Sequence, residues 1–303
     1  MNELLTIFLN NLLPIFLIAG AGFLLSRFLK VDPRPFSQIA FNLFSPFLVF
    51  DLLTQNRLSG LDILRPMLFA LVLMLLIGAL TWLVGKLFRF EPRIITGMLL
   101  TTMFMNAGNY GLPVVLFAFG QDSLRTASLF FVTSATLIYT LGVVVASSGS
   151  TSLTKSLTNL IRVPAIYALL LALVFLYTGW KIPLPLERTA GLLGDAAIPS
   201  LLVLLGMQLQ TTSGSKSILP MGIAVTIRLL VSPILALVLI PFFSLSGVAR
   251  QGLILESAMP AAILSTLLAT EFDVEPKFVT AVVFISTLLS PLTLTLFLSY
   301  LGA

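Results

Sequence analysis

Residues 94–119 read IITGMLLTTMFMNAGNYGLPVVLFAF, and the reading of this stretch decides the fold. An apolar run is interrupted by Asn106-Ala-Gly108-Asn109-Tyr110-Gly111-Leu-Pro113 and then resumes at Val114. Bare backbone in lipid costs several kcal/mol for each unsatisfied polar group, so a break in a membrane helix must be sheltered by protein or line a cavity. Proline is tolerated in the first turn of a helix, where its missing N–H is not needed. The segment Gly111 to Pro113 is therefore expected to restart a second half-helix inside the bilayer. Its free N–H groups and positive dipole end suit an anion. Broken helices of this kind point to a transporter site.

Composition agrees with that setting. Of 303 residues 58% are hydrophobic and 10% charged, against about 25% charged in soluble domains. Mean hydropathy is +1.08. With no Cys and no His, zinc and haem sites, thiol nucleophiles and imidazole acid–base chemistry are excluded. No phosphate-binding GxxxxGK[ST] motif suggests ATP as an energy source. The net charge of +5 reads as positive-inside residues, not as a nucleic-acid surface. Residues 1–29 lack the basic start of a cleaved signal and carry too long an apolar segment.

At roughly 20 apolar residues per crossing, ten spans are expected: 5–28, 36–54, 66–87, 94–119 (broken), 124–147, 161–178, 186–208, 218–243, 249–270 (broken) and 277–299. The loops on one side carry ten basic residues (Arg27, Lys30, Arg34, Lys86, Arg89, Arg93, Lys155, Arg162, Lys216 and Lys277). The opposite side carries six (Arg57, Arg65, Arg125, Lys181, Arg188 and Arg250). Basic loops stay cytoplasmic, which places both termini outside.

An internal repeat organises these spans. Pro46 and Pro199 lie 153 residues apart, as do Phe119 and Phe272, and Phe131-Val-Thr and Phe284-Ile-Ser. Ser59-Gly60 and Pro66 recur as Ser213-Gly214 and Pro220, and Gly97-Met-Leu-Leu recurs as Gly252-Leu-Ile-Leu. Two halves of five spans, 1–150 and 151–303, must lie in opposite orientations, an inverted repeat. Symmetry then requires a break in span 9, and Glu256-Ser257-Ala-Met259-Pro260 supplies one.

NAGNYGLP at 106–113 together with LESAMPAA at 255–262 resembles the auxin efflux carrier family, whose members include plant auxin exporters and bacterial carriers of malonate and other organic acids. The resemblance covers essentially the whole chain. It implies an all-α membrane fold shared with bile acid:sodium symporters, in which spans 4 and 9 cross at mid-membrane. Spans 1, 2, 6 and 7 form a scaffold, and spans 3–5 and 8–10 a transport domain that moves elevator-fashion. It further implies a homodimer in a bacterial inner membrane and no cofactor beyond a coupled sodium ion or proton. The long central loop of the plant exporters is absent here.

The candidate substrate-binding set is Asn106, Gly108, Asn109, Tyr110, Pro113, Ser257, Met259 and Pro260. The two asparagine amides either tie off backbone groups freed by the break or, with the N–H groups after Gly111, bind a substrate carboxylate. Glu256 is the candidate for coupling, because a mid-membrane carboxylate is costly and marks ion paths. In the symporters a glutamate before a Gly-Met-Gln element ligates sodium, whereas here Pro260 follows Met259. Arg228, eight residues after Pro220 and about 12 Å into span 8, either snorkels to a surface, partners Glu256 or contributes to an anion path. Asp51 and Asp195 read as interfacial charges. The expected function is export of a small organic anion. The alternative is a sodium- or proton-coupled antiporter of the same fold without an organic substrate. An intramembrane enzyme is disfavoured because Gly191-Leu-Leu-Gly194-Asp195 lacks the GxGD spacing of aspartyl proteases. A channel is disfavoured because no repeated polar rings line one pore.

Overall fold

The computed structural model describes residues 2–55, 60–147, 163–208 and 217–303. Arg57, Lys155, Arg162, Lys216 and the Ser59 and Ser213-Gly214 repeat signals lie outside them. Among the described residues the chain is helical, with no strand beyond one isolated antiparallel bridge.

Among the described residues seven helices are long and apolar enough to cross a membrane. They are α1 (Leu4–Leu29), α2 (Pro33–Thr54), α3 (Gly60–Leu87), α5 (Ala107–Ala146), α7 (Leu184–Gln208), α8 (Ile218–Phe243) and α11 (Pro276–Leu301). Between them lie α4 (Pro92–Met103), α6 (Pro164–Thr178), α9 (Gly247–Ser257) and α10 (Leu264–Glu271). The expected ten spans exceed these seven for physical reasons. The fourth and ninth expected spans are each interrupted, and the sixth is described over only 15 residues. The 40 residues of α5 join the second half of span 4 to span 5 across Gly120, whose φ of +73° breaks the helix. Glycine alone adopts that backbone at no steric cost.

Proline shapes the helices from within. Four π-turns, Phe8–Leu12, Ala40–Phe44, Ala107–Gly111 and Ile227–Val231, each end two residues before a proline, at Pro14, Pro46, Pro113 and Pro233. A proline ring clashes with the carbonyl four residues back. The widened turn relieves the clash, and the residue before each proline donates its N–H five residues back, as Leu112 does to Ala107.

The helices pack into two groups. In one, α7 lies on α1 and α2, and α6 lies on α2. A Cβ built on Gly206 would sit 2.6 Å from the Ala19 carbonyl carbon, and one on Gly22 would sit 2.9 Å from that of Val203. The α1–α7 crossing is thus backbone against backbone, close packing typical of small residues between membrane helices. In the other group, α3 packs on α4 and α5, α9 packs on α5 and α8, and α11 packs on α4, α8 and α10.

Candidate functional site

The interruption of the first half falls where α4 ends. Phe104 takes an extended backbone (φ −105°, ψ 118°), and Met105 forms an antiparallel bridge with Ala261 in the second interruption. Asn106 N–H donates to Pro260 O at 2.8 Å, and Ala262 N–H donates to Phe104 O at 2.9 Å. Each broken segment therefore satisfies backbone groups of the other, which is what an interruption sheltered from water demands. Ala261 N–H finds Ser286 Oγ at 3.2 Å, and Ser265 Oγ donates to Leu100 O at 2.6 Å.

The helix resumes earlier than Gly111 to Pro113. Its first turn is the π-turn at Ala107, because Asn106 O already accepts from Gly111 N–H at 2.9 Å. Pro113 widens a turn that has begun instead of starting one. Ala107 N–H turns back to Met105 O at 2.8 Å. The N–H groups of Gly108 and Asn109 have no acceptor among the described residues, and neither do those of Ile263 and Leu264 at the start of α10. Two helix amino-ends thus begin at one crossing.

At the same place α4 and α9 end, and their carboxyl-ends share one cation. Arg228 is fully buried. Its Nη1 donates to Thr102 O at 2.6 Å, while Nη2 donates to Ser257 O and Ser232 Oγ. Ser232 Oγ also donates to Ser257 O at 2.9 Å. A cation at a helix carboxyl-end is stabilised by the last carbonyls and by the dipole. Arg228 neither reaches a surface nor lies within ion-pair distance of Glu256. The ion pairs among the described residues are Arg93–Asp273 and Asp122–Arg125.

Among the described residues five side-chain polar atoms are buried without a partner: Arg228 Nε, Asn106 Nδ2, Asn109 Oδ1 and both carboxylate oxygens of Glu256. Neither asparagine amide ties off the broken backbone: Asn106 makes no side-chain cap bond, and Asn109 Nδ2 is turned to another side chain. Glu256 packs against the π-turn, so close that a Cβ on Gly111 would come within 2.7 Å of its carboxyl carbon.

Other expected residues are turned to different tasks. Tyr110 is buried, with its hydroxyl 3.2 Å from Ser290 Oγ and its ring edge-on to Phe16 at 6.1 Å. Ser257 Oγ donates within its own helix to Ile254 O at 2.5 Å. Gly108 gives room to the Phe131 and Phe41 rings, and Met259 is fully buried. A half-open cavity of about 490 Å³ at the start of α9, lined by Asp62, Arg65, Asp122, Arg125 and Ser246 among others, contains none of the expected site residues.

One contact was not expected from the sequence. Asn109 Nδ2 donates to Gln208 Oε1 at 3.0 Å. Gln208 closes the apolar run Ala197–Gln208, and its amide at the end of that run was the available signal. Ser232, one turn beyond Arg228 and just before Pro233, was likewise legible as a side chain in reach of the guanidinium.

Comparison with known proteins fits this architecture. The chain is 28% identical over 268 residues to an uncharacterized transporter of Methanothermobacter thermautotrophicus, covering 88% of each chain. It is 26% identical over 258 residues to the uncharacterized transporter MJ1031 of Methanocaldococcus jannaschii, covering 83% of this chain and 84% of that one. Residues 7–298 match the family described as membrane transport protein. Apolar helices of spanning length and a family match over nearly the whole chain lead to one conclusion: this integral membrane protein is a transporter belonging to the membrane transport protein family, the auxin efflux carrier family that its interrupted motifs resemble.

Proposed function

We propose that the chain is a secondary transporter exporting a small organic anion, with its site at the crossing of the two interruptions. The observation that carries this reading is the meeting of two helix amino-ends beside the unpartnered Nδ2 of Asn106 and the amide of Asn109, whose Nδ2 is held by another side-chain amide. Such ends offer N–H groups and positive potential to a carboxylate. The cation-binding carboxyl-ends face Arg228 instead, so the two signs of helix field are separated within the site.

In this reading ten spans form two inverted five-helix repeats, 1–150 and 151–303. The group α1, α2, α6 and α7 is the scaffold, and the remaining helices carry the site across the bilayer as an elevator. Both termini lie outside, and the protein works as a homodimer in a bacterial inner membrane. The Gly206 and Gly22 backbone contacts support a rigid scaffold.

Glu256 is the coupling residue of this proposal. A carboxylate packed against Gly111 shares the amino-end of α5 with the anion, and two like charges there repel. A proton or a sodium ion on Glu256 removes that conflict, so anion and cation travel together. The unpartnered carboxylate also favours a second reading, a cation antiporter without an organic substrate. Flux of radiolabelled malonate, succinate and acetate in proteoliposomes, with and without sodium and pH gradients, separates the two. Saturable carboxylate movement that falls at least tenfold in Asn109→Ala supports the first. Cation flux with no carboxylate dependence would replace it with the second.

A further inference from the structure

The π-turn Ala107–Gly111 meets α1 and α2 through apolar contacts, Phe16 on Tyr110 and Phe41 beside Gly108. Its polar contact with this group of helices is the hydrogen bond from Asn109 to Gln208 on α7. Asn109 is 3% exposed, and its other amide atom is without a partner. One carboxamide on a scaffold helix therefore occupies the N–H that the proposed substrate needs.

We infer that Gln208 is a further residue of the substrate site, a stand-in for the substrate carboxylate that holds the crossing to α7 until an anion replaces it. The inference rests on the carboxylate reading above. A carboxylate is the stronger acceptor, since charge-assisted hydrogen bonds are roughly twice as strong as neutral ones. Substrate takes over the Asn109 N–H, and the link between the π-turn and α7 is then lost. The apolar contacts of the π-turn with Phe16 and Phe41 remain. The arrangement is one-sided. Gln55 lies the same 153 residues from Gln208 that separate the repeated prolines, but its amide is held by Asp51 in its own helix.

The test uses the full-length protein in liposomes with malonate as the probe. Two variants move the acceptor in opposite senses. Gln208→Leu removes the competing carbonyl, and the half-saturating malonate concentration in a thermal-shift titration falls about two- to tenfold, the worth of one neutral hydrogen bond. Gln208→Glu strengthens the hold and repels the anion, and the same concentration rises at least tenfold. A role in packing alone would move both variants the same way. Motion is read separately from a spin-label pair at Arg34→Cys and Lys277→Cys, two exposed positions in a chain without native cysteine. Without malonate the Gln208→Leu protein has the label distances that the parent adopts only with malonate.

Shifts of the same sign in both variants, or shifts under twofold with parental label distances, overturn the inference. If malonate, succinate and acetate stabilise none of the three proteins, the carboxylate reading fails. A label redistribution in Gln208→Leu then still establishes the hold on α7, and parental distances refute the hold as well.

Discussion

Replacing Arg228 with methionine tests whether one cation closes two helices. The guanidinium is fully buried and donates to Thr102 O, Ser257 O and Ser232 Oγ. Hydrogen bonds to charged groups each net about 1.5–3 kcal/mol, but they do not all vanish without compensation. Ser257 O keeps Ser232 Oγ as its donor, whereas Thr102 O is left buried without one, at a cost of about 1–3 kcal/mol. Against this, methionine fills similar space and returns the expense of burying a charge. Interhelical hydrogen bonds in membranes are also weaker than expected, nearer ~0.6 kcal/mol on average. The balance is a loss of about 2–4 kcal/mol, which at about 2–4 °C per kcal/mol lowers the apparent melting temperature by roughly 4–16 °C. Arg228→Lys keeps the positive charge between the two carboxyl-ends but loses the fork, and is expected to recover about half. The measurement is thermal unfolding in detergent followed by Trp82 and Trp180 fluorescence. An Arg228→Met protein melting within about 1 °C of the parent would refute the double-cap reasoning.

Three further outcomes follow from the same geometry. Gly111→Ala puts a methyl group within 2.7 Å of the Glu256 carboxyl carbon, so carboxylate flux is expected to fall at least tenfold with a smaller loss of melting temperature. Flux at parental rates would mean that the π-turn yields easily. Gly206→Val drives a branched side chain into the Ala19 carbonyl and is expected to cost about 3 kcal/mol, the upper end of typical overpacking, read as loss of folded protein in size-exclusion chromatography. A monodisperse peak at normal yield would count against a rigid α1–α7 seam. Glu256→Gln keeps the shape of the side chain and removes its charge. Sodium- or proton-driven accumulation of the anion should then disappear while exchange down its own gradient persists, and unaltered accumulation would remove Glu256 from coupling.

The interruptions themselves were legible. Asn, Gly and Pro crowded into residues 106–113, and Pro260 within an apolar run, are residue types that an unbroken membrane helix avoids, and their physical cost is local. The restart was misplaced because Pro113 has two local meanings, a first-turn residue or the cause of a wide turn. Only the Asn106 O to Gly111 N–H bond decides between them. Arg228 was misread for a different reason. Its depth along α8 is a property of sequence, but the two carboxyl-ends that receive its guanidinium come from residues 102 and 257, and only tertiary structure brings them together. Gln208 was legible only as a polar end to an apolar run, because nothing local announces that this amide will meet a residue 99 positions away.

The reciprocal bonds between Phe104–Asn106 and Pro260–Ala262 tie the two halves of the chain like the tongue and frame of a buckle. Pulling either strip free would strand polar groups where no water can reach them, so the strips have strong reason to travel as a pair. Any displacement of one therefore carries the other with it, and on the proposed reading a cargo seated between them would keep its berth intact on the way.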